Sequence, residues 1–370
     1  MKAIKFILTS GLLSIAISLL YASDDPTPLA IGSRAPDFSL PATDGKTYAL
    51  KDFSHAKILV IVFTCNHCPT AQAYEERIKK LSGDYSIKGV KLIAIMPNDP
   101  LSVRLDEMGY TDLGDSFEEM KIRYKDQQFN FPYLYDGETS GVSKRYGPQA
   151  TPHVFIFDNE RILRYTGRID DGEKPGTAKT FDTQNAIDAM LAGKPVPVEK
   201  TKTFGCSIKW PDKREYASQA VEEWAKEKVE ISELSIEQVK KLLENETSDY
   251  RLLNIWTTWC GPCVVEFPTL VDINRMYRNR DFELITISMD DIEKKTTALK
   301  FLTKKQASTK NFILAGDKYK FIDSLDKKWE GALPYTLLIA PGGKILYSRQ
   351  GIIEPSSLKK LIADSIGRIY

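Results

Sequence analysis

The sequence predicts an α/β protein built as two units in tandem, each a mixed central β-sheet flanked by helices. Three observations carry this. The order strand, Cys-x-x-Cys, helix, strand occurs twice, near 58–96 and again near 252–289. Each occurrence is followed by a proline, a strand, a turn and a second strand, near 152–168 and 334–348. And 370 residues, at about 150 per domain, are enough for two cores without disulfide staples. In each unit the strand–helix–strand part requires a parallel crossover and the closing hairpin is antiparallel, which makes the sheet mixed.

The first unit is read from Ile58-Leu-Val-Ile-Val-Phe63, a continuous apolar run expected of a central strand buried on both faces. It stops at Thr64-Cys65-Asn66-His67-Cys68-Pro69. Apolar residues at Ala71, Tyr74, Ile78 and Leu81 then follow the helical period. Val90–Met96 is the next strand. Thr151-Pro152 precedes the strand His153–Asp158, a turn at Asn159-Glu160, and the strand Arg161–Arg168. In the second unit Leu252–Trp256 is a strand ending at Trp259-Cys260-Gly261-Pro262-Cys263. Its helix carries Phe267, Leu270, Ile273 and Tyr277 on one side, and Phe282–Met289 is the next strand. Leu333-Pro334 leads into Tyr335–Ala340, the Pro341-Gly342-Gly343 turn, the strand Lys344–Ser348, and a closing helix near Pro355–Ile366. These readings give a first domain at 28–198, a linker at 199–230 with a charged surface helix in 212–230, and a second domain at 231–370.

Composition narrows the function. Hydrophobic residues at 42% and charged residues at 27% exclude wholesale disorder and a multi-span membrane protein. A formal charge of +1 offers no basic face, so nucleic acid is not an expected partner. Three histidines are too few for a histidine-rich metal enzyme. The N-terminus has Lys2 and Lys5 before an apolar run at 6–22 that ends in Tyr21-Ala22-Ser23. This reads as a signal peptide over 1–22 or, because Leu20 spoils the cleavage pattern, as a retained anchor tethering the chain to a membrane. Either way the bulk of the chain is exported, to the periplasm or another extracytoplasmic space where disulfides persist.

The five cysteines are therefore the informative residues. A Cys-x-x-Cys at a strand–helix junction is expected to put its first sulfur at the helix N-terminus, where free N–H groups and the helix dipole favour thiolate. The second sulfur, one turn on, can attack a mixed disulfide formed by the first. Cys65 and Cys260 are the expected nucleophiles, Cys68 and Cys263 the resolving thiols. A shared zinc is disfavoured because the pairs lie in separate units, and no His follows either pair, which removes c-type haem attachment. No metal ligand set and no bound cofactor are expected.

Trp259-Cys-Gly-Pro-Cys263 with Leu333-Pro334 resembles thioredoxin, and the string Leu253–Pro268 resembles the exported TlpA-like thiol–disulfide oxidoreductases. In the first unit Ala35-Pro-Asp-Phe-Ser-Leu40, Asp44-Gly45, the CNHCP segment, Thr151-Pro152 and Gly167–Asp171 resemble the redoxin branch of the alkyl hydroperoxide reductase/thiol-specific antioxidant type. Leu191–Pro197 and Phe204-Gly-Cys-Ser-Ile-Lys-Trp210 recur in a subgroup of those redoxins. The resemblance implies two thioredoxin-like folds, cis peptides at Pro152 and Pro334, and client contact through Thr151, Pro152, Leu333, Pro334 and Trp259. It also implies disulfide-containing protein substrates and an upstream membrane dithiol donor. Gly261-Pro262 is the dipeptide of reducing relatives. His67, beside Cys68, is that of oxidising ones, so the second domain is expected to be the stronger reductant.

Other roles remain as expectations. A peroxidase of the peroxiredoxin kind would carry a Thr three residues before its Cys, an upstream Pro and an Arg. Here Cys65 stands three before Cys68 and Val62 three before Cys65, no proline lies between Ala56 and Cys68, and Arg145 reads as a solvated loop residue. Peroxidase activity is thus an alternative, as is a non-catalytic redox-sensing or copper-binding module in which His153 joins Cys65 and Cys68. Cys206 reads as a small buried residue, with a third relay thiol as the alternative. Thioredoxin's proton-accepting aspartate is replaced by Leu59 and Asn254. Glu266, one turn past Cys263, is a possible substitute but reads as a solvated glutamate.

Overall fold

The computed structural model describes residues 26–326 and 329–369, so the expected signal or anchor at 1–22 lies outside the described residues. No helix among the described residues is long and apolar enough to cross a membrane.

The first unit opens with a short hairpin, β1 (Ser39–Pro41) and β2 (Thr47–Ala49). It continues through β3 (Ile58–Phe63), α1 (Pro69–Ser86), β4 (Val90–Met96), α2 (Phe117–Asp126) and β5 (Tyr133–Tyr135). It ends with α3 (Ser143–Tyr146), β6 (His153–Phe157), β7 (Leu163–Gly167) and α4 (Asp182–Leu191). The sheet order is β5-β4-β3-β6-β7, parallel from β3 through β4 to β5 and antiparallel from β3 through β6 to β7. Every residue of β3 is buried, as its unbroken apolar run requires of a strand covered on both faces. One face packs Val60, Val62, Val154 and Ile156 on α1; the other packs Leu59, Ile61, Phe155 and Phe157 under the N-terminal hairpin.

Helix α5 (Arg214–Ala225) connects the units. The second unit runs β8 (Ser232–Leu234), α6 (Ile236–Glu244), β9 (Tyr250–Trp256), α7 (Gly261–Tyr277), β10 (Phe282–Ser288) and α8 (Lys295–Lys304). It closes with β11 (Lys310–Leu314), α9 (Lys318–Leu325), β12 (Tyr335–Ile339), β13 (Ile345–Gln350) and α10 (Pro355–Ile366). Its sheet order is β13-β12-β9-β10-β11-β8, again parallel on one side of the central strand and antiparallel on the other. Both units are mixed sheets flanked by helices, the thioredoxin-like architecture the sequence implies.

The stretch 199–210 differs from a linker. Thr166 bridges Lys200, Thr151 bridges Cys206, and Ile208 and Trp210 are buried, so this segment is a strap bound to the first sheet. The surface helix expected in 212–230 is α5, which buries Ala217, Ala220 and Trp224 on one side.

A second departure lies between β4 and α2. Residues 99–115 form a long excursion that packs on the second unit, where Met108 joins Leu270, Ile273, Met276 and Tyr277 in one apolar cluster. Tyr277 Oη donates to the Thr111 carbonyl at 2.7 Å and Arg280 Nη1 to the Gly109 carbonyl at 2.8 Å. Lys360 pairs with Asp126 at 2.6 Å. Met108→Ala is expected to cost about 2 kcal/mol, the low end for a buried methionine because loop sites relax. Equilibrium urea unfolding measures this; a change under about 0.5 kcal/mol would place Met108 outside the core in solution.

Candidate redox sites

Strand register fixes which residues of the two units correspond. Phe63 pairs with His153, the residue after Pro152, and Ile255 pairs with Tyr335, the residue after Pro334. Both prolines follow cis peptides. Counting forward by the same interval reaches Cys68 in the first unit and Cys260 in the second. Helix capping gives the same answer. Cys68 caps α1 and its sulfur accepts from Ala71 N at 3.4 Å; Cys260 caps α7 and its sulfur accepts from Cys263 N at 3.3 Å. The expectation that Cys65 occupies the helix N-terminus is therefore corrected. Pro69 begins α1 one residue after Cys68, so the helix starts later in the motif than in the second unit. Ala71 stands where Cys263 stands, and Cys65 lies in the preceding loop.

In the second unit Cys260 and Cys263 form a disulfide with Cα atoms 5.3 Å apart. Trp259 is 71% exposed, and Gly261 and Pro262 are exposed beside it. Leu333 is half-buried and Pro334 buried. Among the described residues no backbone bridge covers Leu333. Glu266 is not the solvated glutamate expected: it is buried, accepting from Asn254 Nδ2 at 2.9 Å and from Ile353 N at 3.0 Å. Burial raises its pKa, against the pull of those two donors. The signal for this was present, since i and i+3 share a helix face with Cys263, but only the sheet below shows that the face is inward.

In the first unit Cys65 and Cys68 are both buried and free of any disulfide. Cys65 Sγ lies 3.1 Å from Thr151 Oγ1, and Cys68 Sγ donates, when protonated, to the Thr151 carbonyl at 3.5 Å. Asp115, at the end of the 99–115 excursion, clamps the loop between the sulfurs. One oxygen accepts from Asn66 N at 2.9 Å and His67 N at 3.2 Å, and the other lies 2.6 Å from His67 Nδ1. Asn98 Nδ2 donates to Asp115 at 2.7 Å. Burial opposes charge on His67, yet the carboxylate raises its pKa, and the imidazolium in turn holds Asp115 low. His67 is thus buried and paired with Asp115, with its pKa raised.

The two sulfurs are driven apart in acidity. Burial pushes both thiols up, and for Cys65 the neighbouring Cys68 and Asp115 push further. For Cys68 the hydrogen bonds from Cys206 and Cys65, the His67 charge and the Ala71 N–H outweigh burial and bring the thiol well below its usual range. Asp115 was invisible in the sequence, where its only local signal was the helix cap Ser116-x-x-Glu119 just after it.

His153 is not part of this site. It lies on the opposite face of the sheet, against Phe155, with Nδ1 accepting from Gln149 N at 3.0 Å and Nε2 at 3.0 Å from Thr166 Oγ1. Burial lowers its pKa to about 3, so it is neutral. Cys65, His67 and Asp115 place ligand atoms within 4.8 Å of one another, but an ion there would have to break the His67–Asp115 pair. Arg145 bonds the Gly141 and Asp37 carbonyls, away from both sulfurs. Thr151 is also corrected as a free client-binding edge, because its N–H donates to the Cys206 carbonyl at 3.0 Å.

The AhpC/TSA family profile matches residues 31–166 and the Redoxin profile residues 236–362. Thiol-disulfide oxidoreductase ResA of Oceanobacillus iheyensis is 29% identical over 30% of this chain and 55% of its own length. An uncharacterized conserved protein of Geobacillus kaustophilus is 38% identical over 49% of this chain and 92% of its own, with a TM-score of 0.44. A putative thiol:disulfide interchange protein DsbE of Chlorobium tepidum is 20% identical over 44% of this chain and 99% of its own, with a TM-score of 0.33. The chain spans about half the length of the curated relatives it matches.

Asp115→Asn removes one partner of a buried pair and is expected to destabilise by about 3 kcal/mol. His67 is raised above 6.5, so its contribution is complete below that value and lost as pH climbs through the folded pKa; Asp115 is lowered below 3.8, so its contribution is complete above that value. The stability gap between wild type and variant is therefore expected to be widest between 3.8 and 6.5 and to narrow at alkaline pH, as followed by urea unfolding across pH. A gap that widens with alkaline pH would contradict the charged pair.

Proposed function

We propose that this chain, whose residues 31–166 match the AhpC/TSA profile and 236–362 the Redoxin profile, is an exported thiol–disulfide oxidoreductase that exchanges electrons with partner proteins. The observation that carries it is the second site. Cys260 caps a helix beside Pro334, an exposed Trp259 flanks it, and Cys263 lies one turn on, bonded to it. In this reading the reduced Cys260 thiolate attacks a client disulfide, forming a mixed disulfide and expelling one client thiolate. Cys263 then attacks Cys260, expelling the second client thiolate and closing the protein disulfide. Leu333, Pro334 and Trp259 would receive the client strand, and an upstream membrane dithiol donor would reopen the disulfide. Glu266, with a raised pKa, would take the Cys263 proton through the space below the helix terminus.

The first unit would exchange at Cys68, with Cys65 as its neighbour in the motif and His67 holding its charge. Each pH unit by which the Cys68 pKa lies below ambient pH favours the reduced pair by about 1.4 kcal/mol, or about 30 mV for two electrons. The first site is therefore proposed as the better electron acceptor and the second as the stronger reductant. The sites do not face each other. Cys260 caps the N-terminus of α7, whereas Met276, Asn279 and Arg280 at its far end face His67 and Cys206, so about 25 Å of helix separates them. Each site is thus proposed to serve its own partner. Peroxide reduction is not favoured, since the hydrogen bonds described at the first-site sulfurs go to Thr151 and the Ala71 N–H and none to an arginine.

Reduction of insulin disulfides is expected to vanish in Cys260→Ser and to survive Cys68→Ser, while Cys263→Ser retains clients as mixed disulfides. Undiminished turnover in Cys260→Ser would overturn the reading. Glu266→Gln is expected to slow resolution about 100-fold and to erase an inflection above the usual carboxylate range in the pH–rate profile. Equilibration with glutathione buffers should give the Cys68 couple the higher potential; a lower one would reverse the proposed direction.

A further inference from the structure

Among the described residues no backbone bridge covers the residue before the cis-proline of the second unit, whereas in the first unit that position is filled. What fills it is the chain's own strap at 203–210. Thr151, the residue before Pro152, makes an antiparallel bridge to Cys206, in the position a client strand would take. The approach is close enough to need glycine: a Cβ on Gly205 would stand 2.1 Å from the Thr151 oxygen, and its φ of +132° suits no other residue. The strap is anchored on both sides. Phe204 packs on Tyr74 with ring centroids 6.1 Å apart, Lys209 N donates to Asn98 Oδ1 at 2.9 Å, and Asp99 N donates to the Lys209 carbonyl at 2.8 Å. This registration packs Cys206 against the buried cluster that holds Cys68, and both residues meet at Thr151: its N–H bonds the Cys206 carbonyl, and its carbonyl lies 3.5 Å from the Cys68 sulfur. Cys206 is partly buried and lines a cleft of about 390 Å³ between the units, together with His67, Pro69, Lys209 and Arg280. Cys68 lies beneath it, with no exposed surface.

We propose that Cys206 is the exchange partner of Cys68: the strap is a tethered client strand, and the working disulfide of the first unit is Cys68–Cys206, not Cys65–Cys68. This deepens the proposed function and rests on Cys68 being the reactive sulfur. The partner is a dithiol carried by another protein. One partner thiolate attacks the Cys206 sulfur, the only one of the pair reachable from the cleft. A partner–Cys206 disulfide forms, the Cys68–Cys206 bond breaks, and Cys68 leaves as the stabilised thiolate, since the more acidic thiol departs faster. The second partner thiolate then attacks the partner's first sulfur, closing the partner disulfide and releasing Cys206, which takes up a proton. Two electrons pass from the partner dithiol to the protein disulfide. An oxidised partner disulfide regenerates Cys68–Cys206 by the same two steps in reverse. Cys65, protonated and held by Thr151, remains a thiol throughout.

Trypsin separates the possibilities. Cleavage after Lys57, Arg77, Lys202 and Lys209 places Cys65 and Cys68 together in peptide 58–77 and Cys206 in peptide 203–209. The full chain is equilibrated with oxidised glutathione, alkylated and digested without reduction. The expected product is peptide 58–77 disulfide-linked to 203–209, still found in Cys65→Ser and absent in Cys68→Ser. Reduction of that cross-link by a small dithiol should release it at least about 10-fold faster than the glutathione-linked peptide 203–209 formed in Cys68→Ser, as expected of an acidic leaving thiol. A loop disulfide within 58–77, with Cys206 alkylated alone, would overturn this inference and leave the proposed function standing. All three sulfurs alkylated while Cys260–Cys263 is oxidised would overturn both for the first unit.

Discussion

A sulfur held at the first free N–H groups of a helix leaving a central strand is the constraint on which both sites depend. It requires a strand buried on both faces, because only then is the strand end fixed relative to the helix behind it. It requires a helix that begins at the cysteine, so that the N–H two or three residues on points at sulfur. β3 with α1 and β9 with α7 meet both conditions, and the same backbone-to-sulfur bond is made by Ala71 in one unit and Cys263 in the other. Chemistry follows from that position rather than from the order of cysteines within the motif.

The two units then diverge in what surrounds the capped sulfur. In the second unit the second cysteine of the motif is on the helix, no backbone bridge covers Leu333 among the described residues, and the Trp259 indole is exposed. In the first, alanine replaces the resolving thiol, a buried histidine–aspartate pair supplies charge, and a strap covers the edge. The excursion at 99–115 couples these features. It docks on the second unit through Met108 and Thr111 and delivers Asp115 to His67 at its end. The seat of the first unit's charged loop is thus built partly on its neighbour. That accounts for tight packing between the units while their redox centres point to different ends of α7.

Much of this was legible in the sequence, and the limits have physical causes. Periodicity located the central strands and the helices behind the cysteines because these are the most buried and most regular segments. The repeated Pro–strand–turn–strand order gave the antiparallel side of each sheet. The strands β5, β8 and β11, the first two at sheet edges, escaped because runs of three to five residues give little alternation to read. The N-terminal sulfur of the first unit was misplaced because Cys-x-x-Cys spacing is the same whether the helix starts at the first or the second cysteine. Pro69, favoured as the first helical residue, was the local signal that decides it. Glu266 was taken as solvated and Cys206 as a small buried residue because burial and long-range pairing are properties of the sheet below and the strap above. The excursion that carries Asp115 has no periodic pattern at all.

The central claim is that the capping position makes Cys68, and not Cys65, the thiolate of the first unit. Residue-resolved titration of the reduced protein labelled with carbon-13 at the cysteine β carbons tests it without depending on reagent access. The account expects Cys68 to titrate below the ordinary thiol range while Cys65 and Cys206 keep their protons well above it. Titration of Cys65 ahead of Cys68 would contradict it.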